Sequence, residues 1–169
     1  MNYLEFLAGV DASHPMTTAV EHIEVLCRYA KRATSILELG SHAGISAAAM
    51  ALANPNATIV SVDLCDTVNE QHRIAYWQSL GIATIHPVAG SAGDYLKTAP
   101  RFGMVFHDAV HGDAAMPEYK LCVDLCDILA IRDFEKLSQG NQALLRSMFV
   151  RVDETADDRG RFLFVGWAS

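Results

Sequence analysis

The stretch Ser35 to Ala47, SILELGSHAGISA, constrains this chain more than any other. A short apolar run carries an acid, Glu38, and passes through Gly40, Ser41, His42, Ala43 and Gly44 into an alanine-rich segment, Ile45 to Ala53. The pattern reads as strand, tight glycine turn, helix. Glycine lacks the Cβ that would keep a ligand away, so such a turn offers bare backbone N–H groups and a helix N-terminus to whatever binds there. His42 stands where the dinucleotide fingerprint G-x-G-x-x-G has its second glycine, so that fingerprint fits poorly. The turn predicts a nucleotide-type pocket at the end of the first strand.

The rest of the chain alternates strand and helix signals without a linker or low-complexity run. A capping box at Thr18–Glu21 opens a helix over 18–32, and a second at Thr67–Glu70 opens a helix stopped by Gly81. Strands are expected at 35–39, 58–62, 82–88, 103–107 and 128–132, with helices at 45–53, 116–126 and 138–147. Segments 149–154 and 161–167 alternate around Asp157-Asp158-Arg159-Gly160, which is hairpin chemistry. The fold class is therefore α/β: a Rossmann-like, doubly wound, mostly parallel seven-stranded sheet ending in an antiparallel hairpin. The 169 residues suit one domain, 1–169, and a lid over its site would come from residues 1–17, from 133–140 or from a second subunit.

Charge and cysteines narrow the function. The net charge is −7, and the 13 Lys and Arg are scattered, so the basic face that neutralises phosphates is missing and no nucleic-acid partner is expected. No run approaches the roughly 20 apolar residues of a membrane helix. The start of the chain has no basic region and carries Glu5 and Asp11, which argues against a secretory signal. Cys27, Cys65, Cys122 and Cys126 form no C-x-x-C pair and read as free thiols of a cytoplasmic protein. Exposed apolar surface on so short a chain leaves a homodimer open.

Ligands of open α/β sheets bind beyond the C-terminal strand ends, so the residues just past each strand are the candidates. Asp63 ends strand two, 25 residues after Glu38, where a carboxylate accepts hydrogen bonds from both ribose hydroxyls, or else caps the next helix. After strand three comes Gly90-Ser91-Ala92, and after strand four Asp108-Ala109-Val110-His111. Strand five ends Arg132-Asp133-Phe134-Glu135. Hydrolase elbows, Walker loops and zinc ligand pairs are absent.

The spacing E-x-G-x-x-x-G at Glu38, Gly40 and Gly44 resembles the first motif of class I methyltransferases that bind S-adenosylmethionine (SAM), and the terminal hairpin is a mark of the same family. The resemblance covers roughly residues 18–167. It implies that Glu38, Gly40, Ser41 and Gly44 hold the methionine end of SAM. It places the adenine against Gly90, Ser91 and Ala92, with Leu64 as the other apolar wall. Asp108 and His111 resemble the strand-four segment of the macrocin and catechol O-methyltransferase-like group, and Asp133 matches that group's second acid. The implied reaction is methyl transfer to a hydroxyl of a small molecule, with His111 as base, Asp108 at cofactor and acceptor, and a divalent cation such as magnesium on Asp108 and Asp133. Two departures stand against the pattern: Ala109 replaces a glycine, and Phe134 replaces the amide or acid that follows the second aspartate. The two acids read either as metal ligands or as strand-end caps. A non-catalytic SAM-binding protein or subunit and a nucleotide-linked oxidoreductase on the same layout remain as alternatives.

Overall fold

The computed structural model describes residues 5–6, 19–64 and 67–168. Seven strands form one sheet: β1 (Ser35–Leu39), β2 (Thr58–Asp63), β3 (Ile85–Ala89), β4 (Phe102–His107), β5 (Cys126–Arg132), β6 (Arg151–Ala156) and β7 (Phe162–Trp167). Their spatial order is β3-β2-β1-β4-β5-β7-β6. The first five are parallel, and β7 runs antiparallel between β5 and β6. The helices are α1 (Val20–Ala30), α2 (Ile45–Ala53), α3 (Thr67–Ser79), α4 (Ala92–Leu96), α5 (Met116–Leu125) and α6 (Gln139–Ser147). This is the expected Rossmann-like sheet with its antiparallel hairpin.

Period-two alternation divides the strands between two cores. Ile36, Met104, Phe106, Ile128 and Ala130 face the layer of α1, α2 and Trp77 of α3. Leu37, Leu39, Val105, Leu129 and Ile131 face the layer that holds Leu96, Tyr119, Phe134 and Leu145. In α2 every residue from Ser46 to Ala51 is buried, because small side chains let the helix lie close against its neighbours. Strand order reverses between β1 and β4, and a crevice opens there beyond the C-terminal strand ends.

Element ends differ from expectation for identifiable reasons. Thr18 lies outside the described residues, and α1 begins after Ala19 with no side-chain cap. The side chains of 67–69, which carry the second capping box, also lie outside the described residues. β3 starts at Ile85 rather than Ile82 because Ile82 N–H turns back to Trp77 O (3.0 Å) and closes the helix around Gly81, whose φ is +72°. α4 is not among the expected helices: it is a single turn containing Gly93, opened by Ser91 accepting from Asp94 N–H (3.1 Å). β5 follows α5 without a loop, its first residue Cys126 pairing with Phe102. The segment 1–17, apart from Glu5 and Phe6, lies outside the described residues. No helix among the described residues is long and apolar enough to cross a membrane.

Candidate functional site

The turn after β1 is held from both sides. Gly40 N–H donates to Val62 O of β2 (2.8 Å), and Asp108 N–H donates to Leu39 O (2.7 Å). Gly40 has φ +87°, and a Cβ there would fall 2.5 Å from Asp108 O and 2.7 Å from Ala109 N. Only glycine lets the β1 and β4 loops approach this closely. Gly44 has a different neighbour. Its φ is +76°, and a Cβ would meet Trp77 Nε1 at 2.7 Å, the same atom that donates to Gly44 O (2.9 Å). The second glycine of the motif is thus shaped by α3 packing.

Behind the turn runs a buried polar chain. Glu38 is fully buried and accepts from Ser46 Oγ (2.5 Å) and Ser61 Oγ (2.6 Å). Ser61 Oγ lies 2.6 Å from Ser41 Oγ, which accepts from Arg73 Nη1 (2.6 Å). Each hydroxyl has one proton, so the chain is satisfied when Arg73 donates to Ser41, Ser41 to Ser61, and Ser61 to Glu38. Burial pushes the Glu38 pKa up to about 7, against the two hydroxyls that favour its charge. Arg73 also sits 3.2 Å from Asp63 Oδ2, which accepts from the backbone N–H of His42 (2.5 Å). The acid at the end of β2 is therefore fixed by a buried guanidinium and by the glycine turn together.

In front of the turn lies a cavity of about 450 Å³, within the size range of small-molecule and cofactor sites. One half is walled by Gly40, Asp63, Leu64, Gly90, Ser91 and Ala92, the other by Asp108, Ala109, Val110, His111 and Arg132, and Glu118 also lines the cavity, its carboxylate beside Gly93. His42 also reaches it, whereas Glu38, Ser41, Gly44 and Asp133 are not among its walls. Three of the residues expected at the methionine end thus support the turn from behind. Leu64 is 78% exposed, an apolar side chain free to cover a flat ligand.

The second half gathers charge. His111 Nε2 lies 3.6 Å from Asp108 Oδ1, and its Nδ1 3.7 Å from Asp133 Oδ2, so the three expected residues do converge. Arg132 Nη1 donates to Asp108 Oδ2 (2.8 Å), and Lys136 Nζ donates to Asp133 Oδ2 (2.5 Å). Burial raises the Asp108 pKa, with the Arg132 charge opposing it. Burial also works against the Asp133 charge, but the Lys136 bond, backed by Arg132 and His111, holds its pKa below the ordinary value. Asp133 takes a left-handed backbone, φ +56°, which aspartate tolerates.

As they are placed, Asp108 and Asp133, the acids expected to hold a divalent cation, do not fit one. A hard cation needs carboxylate oxygens that are free to coordinate. Here a guanidinium and an ammonium already bind Oδ2 of each. The two open oxygens, Asp108 Oδ1 and Asp133 Oδ1, face His111 Nε2 (3.6 Å) and Arg132 Nε (3.7 Å), so a cation on them would sit against the fixed charge of Arg132. Phe134 is buried and stacked on Phe164, with centroids 4.5 Å apart, and Glu135 Oε2 accepts from Phe162 N–H (2.7 Å), so neither supplies a further ligand. Among the described residues no group of three or more His, Cys, Asp or Glu is placed to hold a metal ion.

Sequence reading missed four residues. Arg73 sits one helical turn before Trp77 on the buried face of α3, a spacing that marks it. Arg132 is a charged residue closing a buried strand, immediately before an acid already singled out. Buried His107, read as a strand residue, bonds through Nε2 to Glu118 Oε2 (2.7 Å), and Glu118 reaches the cavity. That last pair crosses from β4 to α5, and no local pattern announces it.

No protein-family model matches the sequence, and no curated protein matches it. Solved structures match over nearly the whole chain. The O-methyltransferase TomG from Streptomyces achromogenes, involved in tomaymycin synthesis and solved in complex with SAM, is 18% identical with a TM-score of 0.73, covering 98% of this chain and 90% of its own. An O-methyltransferase from Bacillus cereus in complex with SAH is 15% identical, TM-score 0.69, covering 98% and 88%. A precorrin-6y C5,15-methyltransferase from Geobacter metallireducens is 10% identical, TM-score 0.70, covering 96% and 95%. At these identities the likeness establishes the fold, that of the Rossmann-like methyltransferases.

Proposed function

We propose that this chain binds SAM in the cavity between β1 and β4 and transfers its methyl group to a hydroxyl of a small molecule. The observation that carries the reading is the convergence of Gly40, the Asp63 carboxylate, the Gly90–Ala92 segment and Asp108 on one cavity at the point where strand order reverses. The O-methyltransferases of the same fold, two of them holding SAM or SAH, support it.

Asp63, held by Arg73 and the His42 amide, is placed to accept from the two ribose hydroxyls. Leu64 and Ala92 offer apolar walls to the adenine. Asp108 Oδ1 is buried without a hydrogen-bond partner, an acceptor that fits the ammonium of the methionine end. Glu38 and Ser41 contribute from behind by fixing the turn. When bound, SAM supplies an electrophilic methyl on a sulfonium centre. The protein then has two tasks, to hold the acceptor oxygen in line with that methyl and to take its proton. His111, about a third exposed at the cavity wall, is the base for the second task. No step is routed through a metal, because Arg132 and Lys136 hold the carboxylates. The net charge of −7 and the cavity size favour a small acceptor over nucleic acid. Three buried free thiols, Cys27, Cys122 and Cys126, favour the cytoplasm.

The test is SAH formation, followed by mass spectrometry, across a panel of hydroxylated small molecules. His111→Ala should lower kcat by about 10²- to 10⁴-fold while leaving SAH affinity within a few-fold. Undiminished turnover in that variant removes the base. SAM binding with no methylated product from any acceptor leaves a binding protein rather than a transferase.

A further inference from the structure

The charge cluster beside the cavity does more than fail to suit a metal; it contains a replacement for one. Arg132 lines the cavity with a side chain nine-tenths buried. It bonds Asp108 through Nη1 (2.8 Å), and its Nε, buried without a hydrogen-bond partner, faces Asp133 Oδ1 at 3.7 Å. One guanidinium therefore stands between the two carboxylates that the family resemblance pairs around a cation. Its charge is permanent, since arginine does not lose its proton in proteins. A divalent ion on the two open Oδ1 atoms would sit against that fixed positive charge in a buried setting, where repulsion is poorly screened. Lys136 on Asp133 adds a second barrier (2.5 Å).

We propose that Arg132 stands in for the divalent cation: it holds Asp108 in position, presents the positive charge at the acceptor end of the cavity, and excludes metal from the site. It is a positioning residue, acting through Asp108. Its role in methyl transfer rests on the function proposed above, but the exclusion of metal does not, and the two are separable by experiment.

The full-length protein is titrated with MnCl2 alone, and free Mn²⁺ is read by electron paramagnetic resonance. Calorimetry with SAH is run on the same samples. Wild type and Arg132→Lys should show no saturable Mn²⁺ binding up to about 1 mM, the weak end of ordinary protein cation sites. Arg132→Gln should bind Mn²⁺ at least about tenfold more tightly than wild type, and adding Asp108→Asn should remove the new site. Arg132→Met, which keeps the apolar stem, repeats the test should the glutamine variant fail to fold. Stoichiometric Mn²⁺ binding by wild type that is lost in Asp108→Asn overturns the proposal. So does a folded Arg132→Gln or Arg132→Met that binds no Mn²⁺. Loss of SAH binding in wild type would sink the methyltransferase reading and leave the Mn²⁺ result standing.

Discussion

Glu38 is a carboxylate whose chemistry departs far from its ordinary state. It is fully buried, carries no direct cation, and reaches Arg73 only through two serine hydroxyls. Burial lifts its pKa from 4.5 to about 7, so the folded protein holds a proton there that the unfolded chain has already released. Stability from this site is complete below pH 4.5 and is lost as pH rises through 7, a difference on the order of 3 kcal/mol. Glu38→Gln removes the titration. Urea unfolding at pH 5 and pH 8 should show wild type losing more stability than the variant over that interval; equal losses would mean that Glu38 stays ionised throughout. The same chain puts Glu38 and Ser41, expected at the methionine end of SAM, behind the turn and outside the cavity walls. A motif states which residues recur beside a ligand, and it does not separate those that touch the ligand from those that hold the touching loop.

Among the elements, α2 shows how much a single connection carries. Asn54 ends the helix, and its side-chain amide donates to Ala30 O and Ala33 O, both at 2.9 Å, so it ties the end of α2 to the end of α1. Asn54→Ala leaves two part-buried carbonyls without these donors and should cost about 2 kcal/mol in chemical denaturation. A change below about 0.5 kcal/mol would mean that water replaces both bonds. In the sequence, Asn54-Pro55 directly after Ala53 reads only as a helix stop. The strands, the long helices and the hairpin could be read because their periodicities and breakers are local. Gly160 (φ +73°) and Asp157, whose Oδ1 accepts from Arg159 and Arg161 N–H, turn β6 into β7 as composition suggested. α4 could not be read, since one turn has too few residues to show a period. The Arg132–Asp108 bond could not be read either, for it joins β5 to the loop after β4 across 24 positions.

At the scale of the whole molecule, the place of the candidate site follows from order reversal. The chain lays down β1, β2 and β3 in one direction and then returns to place β4 on the other side of β1. The loops after β1 and β4 touch at Gly40 and Asp108 over the reversal, and Asp63 joins them at the cavity wall. Alternation of elements was enough to predict this layout, and the strand-end positions put Asp108 and Asp133, which both approach His111, among the candidates. What sat in the space between them was not legible, because a guanidinium and a divalent cation satisfy the same pair of acids. The most direct test of the central claim, that this gap is a SAM site, is calorimetric titration of SAH into wild type and Asp63→Ala. Two hydrogen bonds to a charged acceptor are at stake, so wild type should bind in the micromolar range and the variant at least about 100-fold more weakly. No binding in wild type, or equal binding in both, would contradict the account.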